Sequence, residues 1–520
     1  MRIPSSPPSS PTSSLPRAPL PAHVRVAIIG AGFGGLGTAI RLRQEGIEDF
    51  AILERGPDLG GVWRDNTYPG CACDVQSHLY SFSFALNPRW TRSYSGQPEI
   101  LAYLQGCADR FGVRPHLHLD CQVQDATWDE AAQLWRLRTS RGQLTCEVLV
   151  AGAGALSEPA LPTLPGLLDF DGKVMHSARW DHQHPLAGRK VAVIGTGASA
   201  IQLVPVIQRE VAELVLFQRT PPWVIPRGDR AISPGVRRLF EAVPAAQRVV
   251  REAISLSREL LVLGFRHPRV MHLAERVVRR HLRQAIADDE LRRKLTPRYT
   301  LGCKRVLISD DYLPALTQPN VKVVTEAIRE VRARSIVDAA GVEHPVDTIV
   351  LATGFQVTEP PIAAHVRGRG GRTLADVWQG SPEAHLGTTV AGFPNYFMLS
   401  GPNTGLGHSS MILMIEAQVE HLLGALRHMR SHSVRAIEPT AAAQEAFVAS
   451  CNDRMRGTVW TSGGCSSWYL DRTGRNSTLW PGATLSFRRR VGRFDPREYR
   501  EEALRDAAAS EERGDLRRAG

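Results

Sequence analysis

Gly30-Ala31-Gly32-Phe33-Gly34-Gly35 follows the apolar run VRVAII at 24–29 and leads into a helix-like stretch, with Glu54 lying 24 residues beyond Gly30. Gly195-Thr196-Gly197-Ala198-Ser199-Ala200 repeats the arrangement after the apolar run at 190–194, with Arg219 again 24 residues beyond its first glycine. A strand, a glycine-rich turn and a helix in that order make a dinucleotide site. The glycines permit a tight turn, and backbone N–H groups at the helix N-terminus meet the pyrophosphate. The residue that ends the second strand then reads the ribose. Glu54 would accept hydrogen bonds from free ribose hydroxyls and repel a 2′-phosphate, whereas Arg219 would attract one. The residues therefore describe an α/β chain with two Rossmann-like dinucleotide-binding units, the first for FAD or NAD and the second for NADPH. The cofactor-binding candidates are Gly30, Gly32, Gly35 and Glu54 in the first unit, and Gly195, Gly197, Ala200 and Arg219 in the second.

A chain of 520 residues has room for two or three domains and a large core. Its content of 43% apolar and 22% charged residues is that of an ordinary globular protein. The formal charge of +11 is concentrated: 19 Lys/Arg and 8 Asp/Glu lie between Arg227 and Arg305, which accounts for the whole excess. Helical periodicity over 249–263 and 276–286 makes this stretch an Arg-rich helical insert. It reads either as a peripheral contact with a membrane surface or acidic partner, or as a solvated basic face. Nothing in it has a nucleic-acid reader motif or interleaved aromatics. Eight cysteines in so long a chain do not make a disulfide framework, and Cys71-Ala72-Cys73 has neither dithiol-reductase nor zinc spacing. They read as small buried thiols in a reducing, cytoplasmic compartment, with no metal site. The first 22 residues are rich in Pro and Ser and have no apolar core, so they read as a disordered tail rather than a signal peptide. No apolar run reaches the roughly 18 residues of a membrane span.

Further strands are expected at 146–151, 336–337 and 348–352, the last running into Ala352-Thr353-Gly354. Pro159, Pro162 and Pro165 punctuate a linker. A long helix is expected at 410–430, and a basic, then mixed-charge, tail at 485–520. No internal repeat is visible beyond the two strand–helix–strand units.

Two longer motifs carry a resemblance. Phe170-Asp171-Gly172-Lys173-Val174-Met175-His176-Ser177-Ala178-Arg179-Trp180-Asp181 matches, at every fixed position, the FxGxxxHxxxW(P/D) fingerprint of type I Baeyer–Villiger monooxygenases. It lies just ahead of the second glycine motif, as in that family. Residues 60–74, from Gly60-Gly61-Val62-Trp63 through Tyr68-Pro69-Gly70 to Asp74, resemble the family's GGxWxxxx(F/Y)PGxxxD signature. With both glycine motifs and Ala352-Thr353-Gly354, the layout from about 24 to 490 is similar to that of class B flavin-containing monooxygenases.

The resemblance implies that the first dinucleotide is FAD and the second NADPH. It also implies a division into a tail at 1–22, an FAD-binding domain at 23–160 and 385–520, an NADP-binding domain at 161–230 and 300–384, and a helical insert at 231–299. Trp63 joins the cofactor-binding candidates. In the family, the Asp that ends the second signature sits beside the flavin and orients an arginine in a Gly-x-Lys-Arg segment. Here these are Asp74 and, from Gly302-Cys303-Lys304-Arg305, the catalytic candidate Arg305. The preceding Lys304 would join Arg219 at the 2′-phosphate. Phe170, Gly172, His176, Trp180 and Asp181 would have an interdomain role rather than a chemical one. Gly401-Pro402-Asn403-Thr404-Gly405-Leu406-Gly407-His408 is similar to the family's late flavin-side segment. The implied reaction is Baeyer–Villiger oxidation through a C4a-peroxyflavin: one atom of O₂ is inserted beside a ketone carbonyl to give an ester or lactone. N- or S-oxidation by the same cofactors is the alternative, and a non-catalytic flavoprotein module the third reading.

Overall fold

The computed structural model of the protein describes residues 19–503. The first strand β1, His23–Ile29, the helix α1, Phe33–Gln44, and the strand β2, Phe50–Leu53, form the opening unit. All four residues of β2 are buried, as expected of a parallel strand covered on both faces. Each such Leu, Ile or Phe contributes roughly 1.5–3 kcal/mol of burial. β1 is an interior strand of an eight-stranded sheet among the described residues. It pairs in parallel with β2 on one side and with Gly142–Ala151 on the other. An antiparallel meander, Val123–Asp129 to Leu134–Thr139 to Gly142–Ala151, extends the sheet.

The chain leaves this sheet after Ala151, rejoins its edge at Val366–Arg367, which pairs in parallel with Val123–Asp129, and returns to its interior at Tyr396–Met398, which pairs in parallel with Gly142–Ala151. The long helix Met411–Ser431 then packs on α1. Between departure and return lies a second sheet. Its order is Val321–Val324, Glu213–Phe217, Lys190–Ile194, Thr348–Leu351, Lys173–His176, and every pairing is parallel. A three-stranded antiparallel sheet that includes Ser335–Asp338 sits alongside. The helices Pro234–Ala242, Pro244–Glu259, Leu261–Arg266, Pro268–Ala285 and Asp289–Lys294 occupy the Arg-rich stretch. The α/β class and the paired Rossmann-type sheets are those read from the sequence.

Three readings change. Residues 485–503 are folded rather than a loose tail. Helix Thr484–Val491 buries Phe487 and Val491, and strand Tyr499–Ala503 pairs antiparallel with Val434–Pro439. The buried Tyr499 hydroxyl meets His421 at 2.7 Å and Thr389 at 2.9 Å. Of the stretch assigned to a Pro/Ser tail, residues 1–18 lie outside the described residues. Leu20 packs on the first sheet's core, and the Ala22 carbonyl accepts from the Thr145 N–H. Residues 504–520 also lie outside. Finally, the cysteines are not all thiols: Cys303 and Cys465 are disulfide-bonded. Their separation of 162 residues makes this a contact that only the tertiary fold creates. The other six are free, and five of those are buried.

Candidate active site

Both glycine loops are shaped by a close approach to the end of a neighbouring strand. Gly30 has φ +93°, and a Cβ there would lie 2.8 Å from the Gly152 carbonyl oxygen. Gly195 has φ +110°, and a Cβ there would lie 2.4 Å from the Ala352 carbonyl oxygen. Only glycine meets both conditions. The same geometry gives Ala352-Thr353-Gly354 its place: it closes the second loop as Ala151-Gly152 closes the first. Neither α1 nor the helix Ala198–Ile207, where Ala200 is fully buried, has a side-chain cap or an acidic residue in its first turn. Their N-terminal N–H groups are thus available to phosphate oxygens.

The second signature docks on the first loop. The Gly60 N–H donates to the Ala31 carbonyl at 2.9 Å, and Gly61 faces Gly32 so closely that a Cβ on Gly61 would lie 3.1 Å from the Gly32 Cα. The result is a slot walled by backbone, which is what a pyrophosphate requires. Trp63 is buried and donates from Nε1 to the Tyr80 hydroxyl at 3.0 Å. The buried Glu54 carboxylate accepts from the Ala31 and Gly56 N–H groups, each at 2.8 Å, and from Arg64 at 2.8 Å. It stands at the end of β2, as a ribose reader must, and its present partners are backbone and Arg64. The donor set and the glycine slot fit FAD.

At the second loop, Arg219 is exposed and Lys304 half-buried. Burial, and then repulsion by Arg219, pushes the Lys304 amine below its ordinary range. Neither has a carboxylate within salt-bridge distance among the described residues. Two adjacent unpaired cations fit a 2′-phosphate.

Asp74, the last residue of the second signature, meets Arg305 from the segment after the insert. The guanidinium donates from Nε to Oδ2 at 2.7 Å and from Nη2 to Oδ1 at 2.8 Å, a two-pronged pair. Nη1 donates to the Leu406 carbonyl at 3.3 Å. Residues far apart in the chain, from three of the quoted motifs, thus converge on one cation. Burial opposes charge on Asp74, but Arg305 outweighs it and holds the carboxyl below the ordinary range. Asp74 in turn raises the Arg305 pKa against the cost of burial. About a quarter of each side chain remains exposed, 26% for Asp74 and 27% for Arg305, so the pair lines a space rather than filling a core. Residues unforeseen from the sequence surround it. The buried Tyr469 phenol lies beside the guanidinium, with its pKa pushed up to about 12 by burial. Arg227 donates to the Cys73 carbonyl at 3.0 Å. Cys303, one residue from Lys304, ties this segment to the 463–467 loop. None of these lies in a motif that would single it out.

The FxGxxxHxxxWD residues brace the edge of the second sheet. Phe170 is buried in its core, and Gly172 leaves no room for a side chain against the Asp347 carbonyl. His176 ends strand Lys173–His176, and its Nδ1 accepts from the Ala178 N–H at 3.1 Å. Burial pushes its pKa down to about 4, so the ring is neutral near pH 7. Trp180 packs half-buried on the same unit, and Asp181 pairs with Lys173. None has a polar contact with Asp74 or Arg305 among the described residues. One residue on, His182 meets Thr67 of the second signature at 2.8 Å. Gln202, four residues into the second loop's helix, accepts from the Tyr68 hydroxyl at 2.8 Å and donates to the Ala72 carbonyl at 2.9 Å. These contacts join the two dinucleotide units.

A fold with two dinucleotide loops and a carboxylate–guanidinium pair between them defines a two-cofactor oxidoreductase. Comparison with known proteins agrees. Residues 27–257 match the pyridine nucleotide-disulphide oxidoreductase family. A Baeyer–Villiger monooxygenase of Streptomyces coelicolor is 54% identical over 489 residues, 94% of either chain. A Baeyer–Villiger monooxygenase of Pseudomonas aeruginosa is 51% identical over 487 residues, 92% of either chain. Among solved structures, cyclohexanone monooxygenase from Rhodococcus sp. Phi1 bound to NADP⁺ superposes with a TM-score of 0.84 at 30% identity, covering 93% of this chain and all of that one. The chain belongs to the Baeyer–Villiger monooxygenase family.

Proposed function

We propose that Arg305, held by Asp74, is the group around which this enzyme carries out its oxidation, and that the observation carrying this reading is the two-pronged pair joined to the Leu406 carbonyl. The reaction follows from the family. With FAD, NADPH and O₂, the enzyme inserts one oxygen atom beside the carbonyl of a small-molecule ketone and yields an ester or lactone. When bound, FAD reduced by NADPH supplies the oxygen-transfer chemistry. The chain's own residues bind, orient and stabilise. The Gly30 loop and Gly60-Gly61 hold the FAD pyrophosphate, and Glu54 faces its ribose. Arg219 and Lys304 hold the NADPH 2′-phosphate. Arg305 is cationic at every working pH and stabilises the oxyanion that develops on the attacked carbonyl, in a site where water competes little. Asp74 fixes the guanidinium plane, so little reorganisation is needed as charge develops. The fingerprint residues and Gln202 keep the two cofactor units in register.

In this reading residues 23–160 and 385–520 serve FAD, 161–230 and 300–384 serve NADPH, and 231–299 form the insert. A cytoplasmic location belongs to it as well, since six of eight cysteines are free thiols; the Cys303–Cys465 pair is the exception.

The test is a panel of linear, cyclic, aromatic and steroid ketones assayed by product mass, run beside Arg305→Ala. The variant is expected to bind FAD and oxidise NADPH while ester formation falls by about 10²–10³, with peroxide released instead. Near-normal ester yield per NADPH in the variant would remove Arg305 from this role.

A further inference from the structure

The Arg-rich insert turns many of its apolar residues outward. In helix Pro244–Glu259 the buried residues are Gln247, Arg251 and Ser255. Arg251 donates to the Leu79 carbonyl at 2.8 Å, and Gln247 to the Asn87 carbonyl at 2.6 Å. The opposite side, Val249, Leu256, Leu260 and Leu263, continues into helix Leu261–Arg266 at helical spacing and is exposed. Leu256 is 62% and Leu260 68% accessible. Helix Pro268–Ala285 has an apolar inner face and a second apolar stripe outside. It buries Met271, Val278 and Leu282, and exposes Val270, Leu273 and Val277, the last 70% accessible. The three helices are consecutive and packed on one another. Of the 17 exposed large apolar side chains among the described residues, 11 lie between Val236 and Val277. That is a concentrated surface, not the scatter of single residues normal for a soluble protein.

Cations run beside these stripes. Arg269, Arg276, Arg280 and Arg283 share one side of helix Pro268–Ala285 and are exposed. None has a carboxylate within salt-bridge distance among the described residues. The stretch from Arg227 to Arg305 carries the chain's whole net charge of +11. A second copy of this chain would bring the same cations against themselves and meet repulsion. A polyanion such as nucleic acid would pair with the arginines but leave the leucines in water. An anionic lipid surface satisfies both: headgroups take the guanidinium groups, and the upper acyl region takes the leucine and valine side chains.

We propose that this outward face, Val249–Leu256–Leu260–Leu263 with Val270–Leu273–Val277 and its arginine flank, docks the enzyme on anionic membrane surfaces, lying in the interface without crossing it. Among the described residues no helix is long and apolar enough to cross a membrane. The insert also reaches the active site. Buried Phe265 and Met271 stand against Gly302, where a Cβ would lie 2.7 Å from the Phe265 ring, three residues before Arg305. A docked insert would therefore place the catalytic segment near the lipid.

The test uses the FAD-loaded enzyme in flotation with phosphatidylcholine–phosphatidylglycerol vesicles and with pure phosphatidylcholine vesicles. The wild type is expected to float with the anionic vesicles and not with the neutral ones. Leu256→Ser/Leu260→Ser/Leu263→Ser and, separately, Arg269→Glu/Arg276→Glu/Arg280→Glu should each reduce flotation by at least about tenfold, with flavin content, melting temperature and NADPH oxidation in solution unchanged. Flotation of the leucine variant equal to wild type would overturn the proposal. So would a wild type that ignores anionic vesicles, whether it self-associates through this face in sedimentation or binds duplex DNA in its place.

Discussion

Arg305 owes its value to its shape as much as to its charge. A guanidinium presents two parallel donors to Asp74 and a third to Leu406. An ammonium is a point charge on a flexible stem and cannot hold both edges of a carboxylate in one plane. Arg305→Lys should therefore recover little ester formation over Arg305→Ala, although its charge is retained; product yield per NADPH measures this. Asp74→Ala should show a milder loss, because the cation remains but is no longer held. At the second loop, Arg219 and Lys304 repel each other until an anion arrives. Charge-assisted contacts contribute roughly 1.5–3 kcal/mol each, so Arg219→Ala should raise the KM for NADPH by about tenfold or more and leave NADH nearly unchanged. Equal use of the two coenzymes by the wild type would contradict the 2′-phosphate assignment.

At the scale of elements, the glycines of the first loop separate folding from cofactor binding. A Cβ on Gly35 would lie 1.8 Å from the Gly30 carbonyl oxygen, inside the β1–α1 turn itself. Gly35→Ala must displace α1 from the sheet and is expected to yield little soluble protein. A Cβ on Gly32 meets only the Gly61 Cα, at an ordinary 3.7 Å. Gly32→Val therefore places its methyl groups in the slot between the two glycine loops while the turn survives. That variant should purify folded, with a normal circular dichroism spectrum, but nearly colourless. Full flavin absorbance in Gly32→Val would mean that the slot does not hold the pyrophosphate.

At the scale of the molecule, two buried histidines couple stability to pH. Burial pushes His176 down to about 4 and His421 to about 3, whereas an unfolded chain binds the proton near 6.5. Below pH 6.5 the unfolded state takes up protons that the native state refuses, so stability falls as pH falls. The slope is about 1.4 kcal/mol per pH unit for each histidine down to pH ~4. His421→Gln should flatten the decline, provided Gln keeps a bond to the Val491 carbonyl or the Tyr499 hydroxyl, which His421 meets at 2.9 and 2.7 Å. Denaturant unfolding at a series of pH values reads both slopes. The Cys303–Cys465 bond closes a loop of 162 residues, so Cys465→Ser or reductant should lower unfolding stability by about 2–5 kcal/mol.

What depends on neighbours in the chain is legible in the sequence. Strand, glycine turn and helix at 24–44 and 190–207 are local, and the buried apolar runs of a parallel sheet are legible without knowing which strand lies beside which. The pairing of Asp74 with Arg305 was open to reading only because two long motifs resemble a known family, since 231 residues separate the two. The tertiary structure alone decided the rest. Leu406 contributes a backbone carbonyl, which carries no side-chain signal. Gln202 and Tyr469 are common residue types whose part is set by what folds against them. Cys303 and Cys465 pair because Gly463 and Thr300 meet, the Thr300 N–H donating to the Gly463 carbonyl at 2.9 Å. Strand Tyr499–Ala503, with its charged REE run, reads as a tail until its partner Val434–Pro439 is in place. In the insert, sequence gave the charge and the helical period, but a period does not say which side faces the protein. Arg251 and Gln247 face inward because the backbone carbonyls of Leu79 and Asn87 are there to accept from them, and that choice turns the leucines out.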